Sequence, residues 1–296
     1  YIDNNMPKFS RSMGVSANNM HPNNVKEYDA YINDKVVENI FKRKPTFDND
    51  YSNDRLKTLQ GFSQKELELI ISNAIREDVG DGDHSSLACI PASAQGKAKL
   101  LVKDEGIIAG VEFAKMIFHY VDKDMKVETF INDGERVKYG DVVFHVSGSS
   151  QSILKAERLV LNSMQRMSAI ATKTKMFVDL LEGTQTKILD TRKTTPGIRA
   201  IEKWAVKIGG GENHRFALYD MIMLKDNHND FAGGIPQAIA KTKQYLIDNN
   251  KDLKIIVEAR NLDEVQQILD AAEKICKTYF AEHNLEHLVV GVAQAK

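Results

Sequence analysis

Apolar positions first become periodic at Leu67, Ile70, Ile71, Ala74 and Ile75, a spacing that gives a helix one apolar face. Just before them, Ser63-Gln64-Lys65-Glu66 has the form of a capping box, in which hydroxyl and carboxylate satisfy the free amides of a helix start. The period then shortens. Ala98 to Lys103, Ile107 to Ala109, Val127 to Ile131 and Val142 to Val146 read as strands, and a helix-like stretch from Val111 to Tyr120 interrupts them. Turns fall at Asn132-Asp133-Gly134 and Tyr139-Gly140-Asp141. Together these segments predict a compact α+β domain of about 100 residues.

Ser152 to Leu181 is a long helical pattern without Pro or Gly, with Leu154, Leu161, Met164, Met167, Ile170, Ala171 and Phe177 near one face. Met at such spacing is core filler. On the same helix Arg158 and Asn162 are surface neighbours. Beyond it, Lys187 to Asp190, Met221 to Leu224 and Lys254 to Val257 are short apolar strands, with helix-like Pro236 to Tyr245 and Leu262 to Lys277 between and after them. Strand–helix alternation implies a parallel sheet or βα barrel, whose chemistry sits at the carboxyl ends of the strands. Those ends deliver Arg192-Lys193, Lys225 and Glu258.

The first stretch of the chain breaks this patterning. Residues 1–61 are dense in Asn (Asn4, Asn5, Asn18, Asn19, Asn23, Asn24) and nearly aperiodic, apart from one short helix-like run at Val36 to Phe41. Such composition buries little apolar surface and predicts a loosely ordered extension. The expected organisation is therefore an extension at 1–61, the compact α+β domain at 62–165, for which the family resemblance given below implies an α/β sandwich, and a strand–helix domain at 166–296. The chain does not begin with Met, which is compatible with a fragment.

Composition narrows the classes. With 42% hydrophobic and 27% charged residues among 296, the chain is ordinary for a globular protein. A net charge of −1 argues against a general nucleic-acid binder. Cys89 and Cys276 stand far apart with no metal-ligand spacing, which predicts a reducing compartment without a disulfide framework. No apolar run approaches the roughly 20 residues of a membrane span, and no secretory leader opens the sequence. A cytoplasmic setting is expected.

Against this neutral background one stretch stands out. From Thr191 to Lys225 there are Arg192, Lys193, Arg199, Lys203, Lys207, Arg215 and Lys225 against only Glu202, Glu212 and Asp220. Cations at strand ends and beside glycines predict a pocket for a small anion. Lys203 and Lys207, four apart on a helix, read instead as a solvated face. Gly209 to Gly211 fit either close backbone approach to a ligand or a tight turn. The acidic string Glu77-Asp78-Val79-Gly80-Asp81-Gly82-Asp83 lacks the terminal Glu of a calcium loop, so Glu77, Asp78, Asp81 and Asp83 read as structural. His119 and His145, in apolar surroundings, read as packed and hydrogen-bonded.

The motifs DTRKTTPG (190–197), EKWAVKIGGGENHR (202–215) and MIMLKDNH (221–228), flanked by EDVGDGDHSS (77–86), ERLVLNSMQRMSAIAT (157–172) and VEARNLDEV (257–265), resemble those of the quinolinate phosphoribosyltransferases. Their order and spacing match from about residue 64 to 268. The resemblance implies an N-terminal α/β sandwich followed by an α/β barrel, in a homodimer whose subunits share active sites. It implies a pentosyltransferase that joins quinolinate to phosphoribosyl pyrophosphate, with Mg²⁺, releasing nicotinate mononucleotide, pyrophosphate and CO₂. Arg192, His214 and Arg215 would bind the two carboxylates of quinolinate. Lys193 and Lys225 would face the phosphates and the ribosyl centre, and Glu258 would lie near the ribose and metal. Arg158 would reach into the neighbouring subunit's site.

After about Leu269 the family's motifs stop. The expected metal-binding Asp-Asn pair and the phosphate-binding glycine segments have no counterpart there, and Asp270 falls within a helical pattern. Leu288 to Val292 could form one more strand. The barrel is therefore expected to be truncated or altered at its carboxyl end, with an exposed parallel edge. Two alternatives stand beside the enzyme reading: a quinolinate-binding remnant without transfer, and a relative acting on another anionic ring.

Overall fold

The computed structural model of the chain describes residues 64–283, divided into two compact units between Asn213 and His214. Ser63, the extension and the Leu288–Val292 segment lie outside the described residues.

In the first unit, α1 (Gln64–Val79) buries Leu67 and Ile71, as the spacing predicts. The acidic string then turns into α2 (His84–Cys89), which Asp83 caps by accepting the Ser86 amide at 3.1 Å and the Ser86 hydroxyl. Those two bonds hold the Asp83 carboxyl below its ordinary value. Five strands follow: β1 (Gln95–Leu101), β2 (Gly106–Ile107), β3 (Lys126–Thr129), β4 (Arg136–Val137) and β5 (Val142–Ser149), with α3 (Val111–Val121) between β2 and β3. β5 is central in an antiparallel sheet of order β1-β5-β3, and β2 pairs antiparallel with β4 in a separate ribbon.

The apolar face of α3 covers β5, with Phe118 meeting Phe144 edge-on at 5.9 Å between ring centroids. Asp133, in the predicted Asn132-Asp133-Gly134 turn, caps α3 from a distance, accepting Val111 N at 2.8 Å and Glu112 N at 3.2 Å. Burial nevertheless pushes its carboxyl above the ordinary value. His119 bonds through Nε2 to Met125 O at 3.1 Å, as expected. His145 meets the expectation in part: it packs edge-on to Phe130, while its Nδ1 makes no hydrogen bond and lies 3.7 Å from Glu128 Oε2.

The helix α4 (Ser150–Leu180) is one unbroken element. Its buried face is Ile153, Ala156, Val160, Ser163, Met164, Met167, Ala171 and Thr174, and Leu154 is exposed. The face is turned from the one the large apolar residues alone suggest, because small residues permit the closest approach of neighbours. Thr172 bonds outward to the end of β2 and Ser168 to the residue two beyond it. Ala109 N donates to Ser168 Oγ and Ile107 N to Thr172 Oγ1, both at 2.9 Å, and the two hydroxyls return bonds to the same residues' carbonyls.

The expected strand Lys187 to Asp190 is reduced to one parallel bridge, Leu189 to Glu212. Glu212 N donates to Ile188 O at 2.8 Å and Asp190 N to Glu212 O at 3.1 Å. Its partner segment is confined between the glycine turn and Asn213, so no longer ladder forms. The helix α5 (Arg199–Ile208) ends in that turn. A Cβ on Gly209 would stand 2.4 Å from Ala171 O and 2.7 Å from Thr174 Cβ, both on α4. Gly210 has φ +88°, and a Cβ there would meet only Val178 at ordinary contact distance. The triple glycine is thus a tight turn pressed against α4.

The second unit contains β6 (Ile222–Leu224), α6 (Asp226–Ala232), α7 (Ile235–Asp248), β7 (Ile255–Val257) and α8 (Leu262–His283). β6 and β7 pair in parallel, Ile222 opposite Ile255 and Leu224 opposite Val257. Leu224, Ile235, Ile239, Ile255, Val257 and Ile268 form its core. Among the described residues, parallel pairing is confined to β6–β7 and the Leu189–Glu212 bridge. Asp270 lies on α8, as its pattern predicts, accepting from Gln266.

Candidate active site

Arg192 and Lys193 leave the Leu189 bridge on a loop held by α5. At the loop's start, Asp190 forms an ion pair with Lys203, their side chains 6% and 1% exposed. This overturns the reading of Lys203 as part of a solvated face. A buried ammonium requires a buried counter-charge, and here that charge lies thirteen residues earlier, out of reach of any helical spacing rule. Lys207 does stay at the surface, 3.6 Å from Glu212. With its amide nitrogen facing the available oxygens, Asn213 donates to Asp190 Oδ2 at 2.8 Å and to Lys203 O at 2.9 Å.

Further along the loop, Glu202 takes over. Its buried carboxylate accepts Thr195 N at 2.9 Å, Thr195 Oγ1 at 2.8 Å and Arg166 Nε of α4 at 2.8 Å. Arg199 Nε donates to Thr194 Oγ1 at 3.0 Å. Between these anchors Lys193 is exposed, with its amide bonded to Thr191 Oγ1. Arg192 is half-buried, and its Nε is enclosed without a hydrogen-bond acceptor.

In the second unit Arg215 is 8% exposed, with Nη1 3.4 Å from Met221 O, and His214 before it is half-buried. Asp220 closes the following turn by accepting Phe216 N and Ala217 N at 2.6 and 2.7 Å. The parallel register sets Lys225 and Glu258 at the same level, just past the carboxyl ends of β6 and β7. Glu258 N donates to Leu224 O at 2.8 Å, and Lys225 Nζ lies 3.4 Å from Glu258 Oε1. Lys225 N donates to His228 Nδ1 at 2.9 Å, which requires that nitrogen to be unprotonated. Two residues after Glu258, Arg260 is tied to Glu264 of α8 through Nε at 2.7 Å and to both Asp230 oxygens of α6. Those carboxylates, Glu264 first, raise the guanidinium's pKa further.

The structure therefore brings Lys225 and Glu258 together and fixes the backbone of each. It places Arg158 exposed on α4. Among the described residues no three His, Cys, Asp or Glu side chains gather as a metal cage. Glu258, the acid expected near the metal, faces an ammonium instead. This donor set does not fit a protein-held ion. Sequence reading missed Arg166, Thr195, Glu202, Lys203, Asp190 and Asn213 as the supports of the Arg192 loop. The Thr within DTRKTTPG and the adjacent Glu-Lys of the next motif were the available signals.

An antiparallel sheet unit and, in the second unit, a parallel strand pair ending at Lys225 and Glu258 define an α/β protein. Family models sharpen this: the N-terminal domain of quinolinate phosphoribosyl transferase matches residues 83–168 and the C-terminal domain matches 170–290. The chain is 45% identical over 226 residues to a mitochondrial decarboxylating quinolinate phosphoribosyltransferase of Nicotiana tabacum, covering 76% of this chain and 64% of that protein. It is 44% identical over 226 residues to a chloroplastic carboxylating nicotinate-nucleotide pyrophosphorylase of Arabidopsis thaliana, with the same coverage. Among solved structures, NadC from Streptococcus pyogenes superposes with TM-score 0.66 at 36% identity, over 71% of this chain and 73% of that one. The nicotinate-nucleotide pyrophosphorylase of Francisella tularensis gives 0.64 at 32% identity, over 78% and 84%. The chain belongs to the quinolinate phosphoribosyltransferase family. It spans just under two thirds of the length of the plant relatives it matches. The C-terminal match runs to residue 290, past the point near Leu269 where the quoted motifs end.

Proposed function

We propose that the chain carries out its family's reaction: phosphoribosyl transfer from phosphoribosyl pyrophosphate to quinolinate, with decarboxylation to nicotinate mononucleotide, in NAD biosynthesis. The observation that carries this reading is Arg192. Its Nε is buried without an acceptor, and an enclosed guanidinium donor gains most from a carboxylate oxygen, which it meets in fork geometry. Quinolinate is a dianion with adjacent carboxylates, and the family resemblance assigns Arg192, His214 and Arg215 to them. Lys193 and Lys225 are assigned to the donor's phosphates and ribosyl centre, and Arg158 to the site of a second copy in a shared-site homodimer. Glu258 is assigned to stabilising an oxocarbenium-like ribosyl centre, a role open to a carboxylate. As the ribosyl carbon bonds to the ring nitrogen its bond to pyrophosphate breaks; the nitrogen becomes cationic, that charge stabilises the carbanion left as CO₂ departs, and the carbanion takes up a proton from water. No protein nucleophile is needed.

Mg²⁺ enters this proposal as an ion carried by phosphoribosyl pyrophosphate, and no step is routed through it. The domain division near residue 165 and the cytoplasmic setting belong to the proposal as well. No described helix is long and apolar enough to cross a membrane, while the names of the plant relatives specify mitochondria or chloroplasts.

The test is a titration of the chain with quinolinate and with nicotinate, alongside CO₂ and pyrophosphate release in the presence of donor. Tight quinolinate binding with both products released is the expected result. Tighter binding of nicotinate would defeat the substrate assignment, and quinolinate binding without release would reduce the chain to a binding protein.

A further inference from the structure

Two consecutive residues of α5 bracket the Arg192–Lys193 loop. Lys203 holds its first residue, Asp190, and Glu202 holds Thr195 by backbone and side chain at once. The loop offers a carboxylate at one end and N–H and O–H donors at the other, so the helix must present a cation and an anion, and it does. Neighbouring helical residues differ by about 100° in azimuth, which lets them reach separate points on one loop. Neither support is free to wander. Arg166 Nε and Nη2 both contact Glu202 Oε1, and Asn213 bonds both Asp190 and the Lys203 carbonyl.

We propose that Glu202 and Lys203 are positioning residues that aim Arg192 and Lys193 at the anion without touching it. The inference rests on the dicarboxylate role of Arg192. A buried ion pair is a poor source of net stability, since apolar residues of equal volume often serve as well. Its advantage is direction: a charged, hydrogen-bonded contact fixes a loop along one line, whereas a hydrocarbon contact lets it slide. Arg192, whose enclosed Nε has one useful direction for an acceptor, is the residue with most to lose from such sliding.

The experiment compares the full chain with Glu202→Gln, with Lys203→Met and with the paired Asp190→Asn/Lys203→Gln. The paired variant keeps hydrogen bonding without either charge and stands in if Lys203→Met fails to fold. Calorimetry would give quinolinate and nicotinate affinities, hydrogen exchange the protection of 191–197, and thermal melts the global stability. Glu202→Gln should weaken quinolinate about tenfold or more, the scale of a small misplacement of a binding group. Nicotinate should change far less, so the preference for the dicarboxylate collapses while the melting point stays close to that of the parent. Exchange in 191–197 should rise without ligand. Unchanged selectivity in folded Glu202→Gln and in the paired variant would overturn the proposal, as would loop exchange identical to the parent. If the parent chain itself ignores quinolinate, the substrate reading falls. The clamp is then judged on loop exchange alone.

Discussion

Replacing Gly209 by Ala isolates a purely steric requirement. Gly209 has φ −74° and ψ 1°, a conformation open to any residue, so alanine brings no backbone strain. Its Cβ, however, would lie 2.4 Å from Ala171 O, 2.7 Å from Thr174 Cβ and 3.0 Å from Ala171 Cα. Two of these three atoms are backbone of α4, which cannot rotate away, so α5 or α4 must shift bodily. Overpacking of this kind costs typically 1–3 kcal/mol, and a backbone obstacle places the expectation at about 3 kcal/mol or more. Gly210→Ala is the internal comparison: φ is +88° and the nearest neighbour is Val178 Cγ1 at 3.6 Å, so only left-handed strain of about 1–2 kcal/mol applies. Trp204, the sole tryptophan, is 1% exposed on α5 and reports this region's unfolding directly. Urea titrations followed by its fluorescence should rank parent, Gly210→Ala and Gly209→Ala in falling stability. The reasoning is wrong if Gly210→Ala is the less stable of the two, or if Gly209→Ala loses under about 1 kcal/mol.

Other expectations follow from the same geometry. Lys203→Met, which strands a buried Asp190, should cost about 3–5 kcal/mol, whereas Lys207→Met at the surface should fall within about 0.5 kcal/mol of the parent in the same urea assay. Arg192→Lys keeps a charge but loses the planar fork, so calorimetry should show quinolinate affinity about tenfold or more lower, the scale set by one to two charge-assisted hydrogen bonds. Asp83 and Asp133 should respond to acid with opposite sign. The lowered Asp83 carboxyl contributes stability present above its ordinary 3.8 and lost as pH falls through its folded value. The raised Asp133 carboxyl imposes a penalty that is absent below 3.8 and grows as pH rises through its folded value. Asp83→Asn should therefore remove part of the acid-side loss of stability, and Asp133→Asn part of the decline on raising pH, each read from unfolding midpoints across the acid range.

The sequence was most legible where a single element carries its own signal. The Val111 to Tyr120 pattern matches α3 to within one residue, and the long Pro- and Gly-free pattern matches α4 to within two at either end. The cation-rich strand ends were legible too, because β6 and β7 announce themselves as short apolar runs that stop at Lys225 and Glu258. What escaped depends on partners remote in the chain. Lys203 looks solvated until Asp190 is brought across the loop. The triple glycine keeps two meanings until α4, some thirty-five residues earlier, is laid against Gly209. Leu154 looks like core because size was counted, although closeness of approach decided the buried face in favour of Ala156, Ser163 and Thr174. Lys187 to Asp190 looked like a full strand because the run itself does not reveal how short its neighbour is.

The bonding of α4 to β2 carries a dimensional consequence. Ser168 and Thr172 are one helical turn apart, an axial advance of about 6.0 Å at 1.5 Å per residue. Their partners are Ile107, the last residue of β2, and Ala109, two residues on, a step of about 6.6–6.8 Å in extended chain. The two repeats nearly coincide, so a helix edge can stand in for a neighbouring strand over this one interval. They coincide only there, since over two turns the mismatch doubles. The length of extended backbone that can be shielded is thus set by a vernier between two polymer periods. Inserting one residue between Ser168 and Thr172 would swing one hydroxyl about 100° off the line and uncover the strand edge to any passing chain.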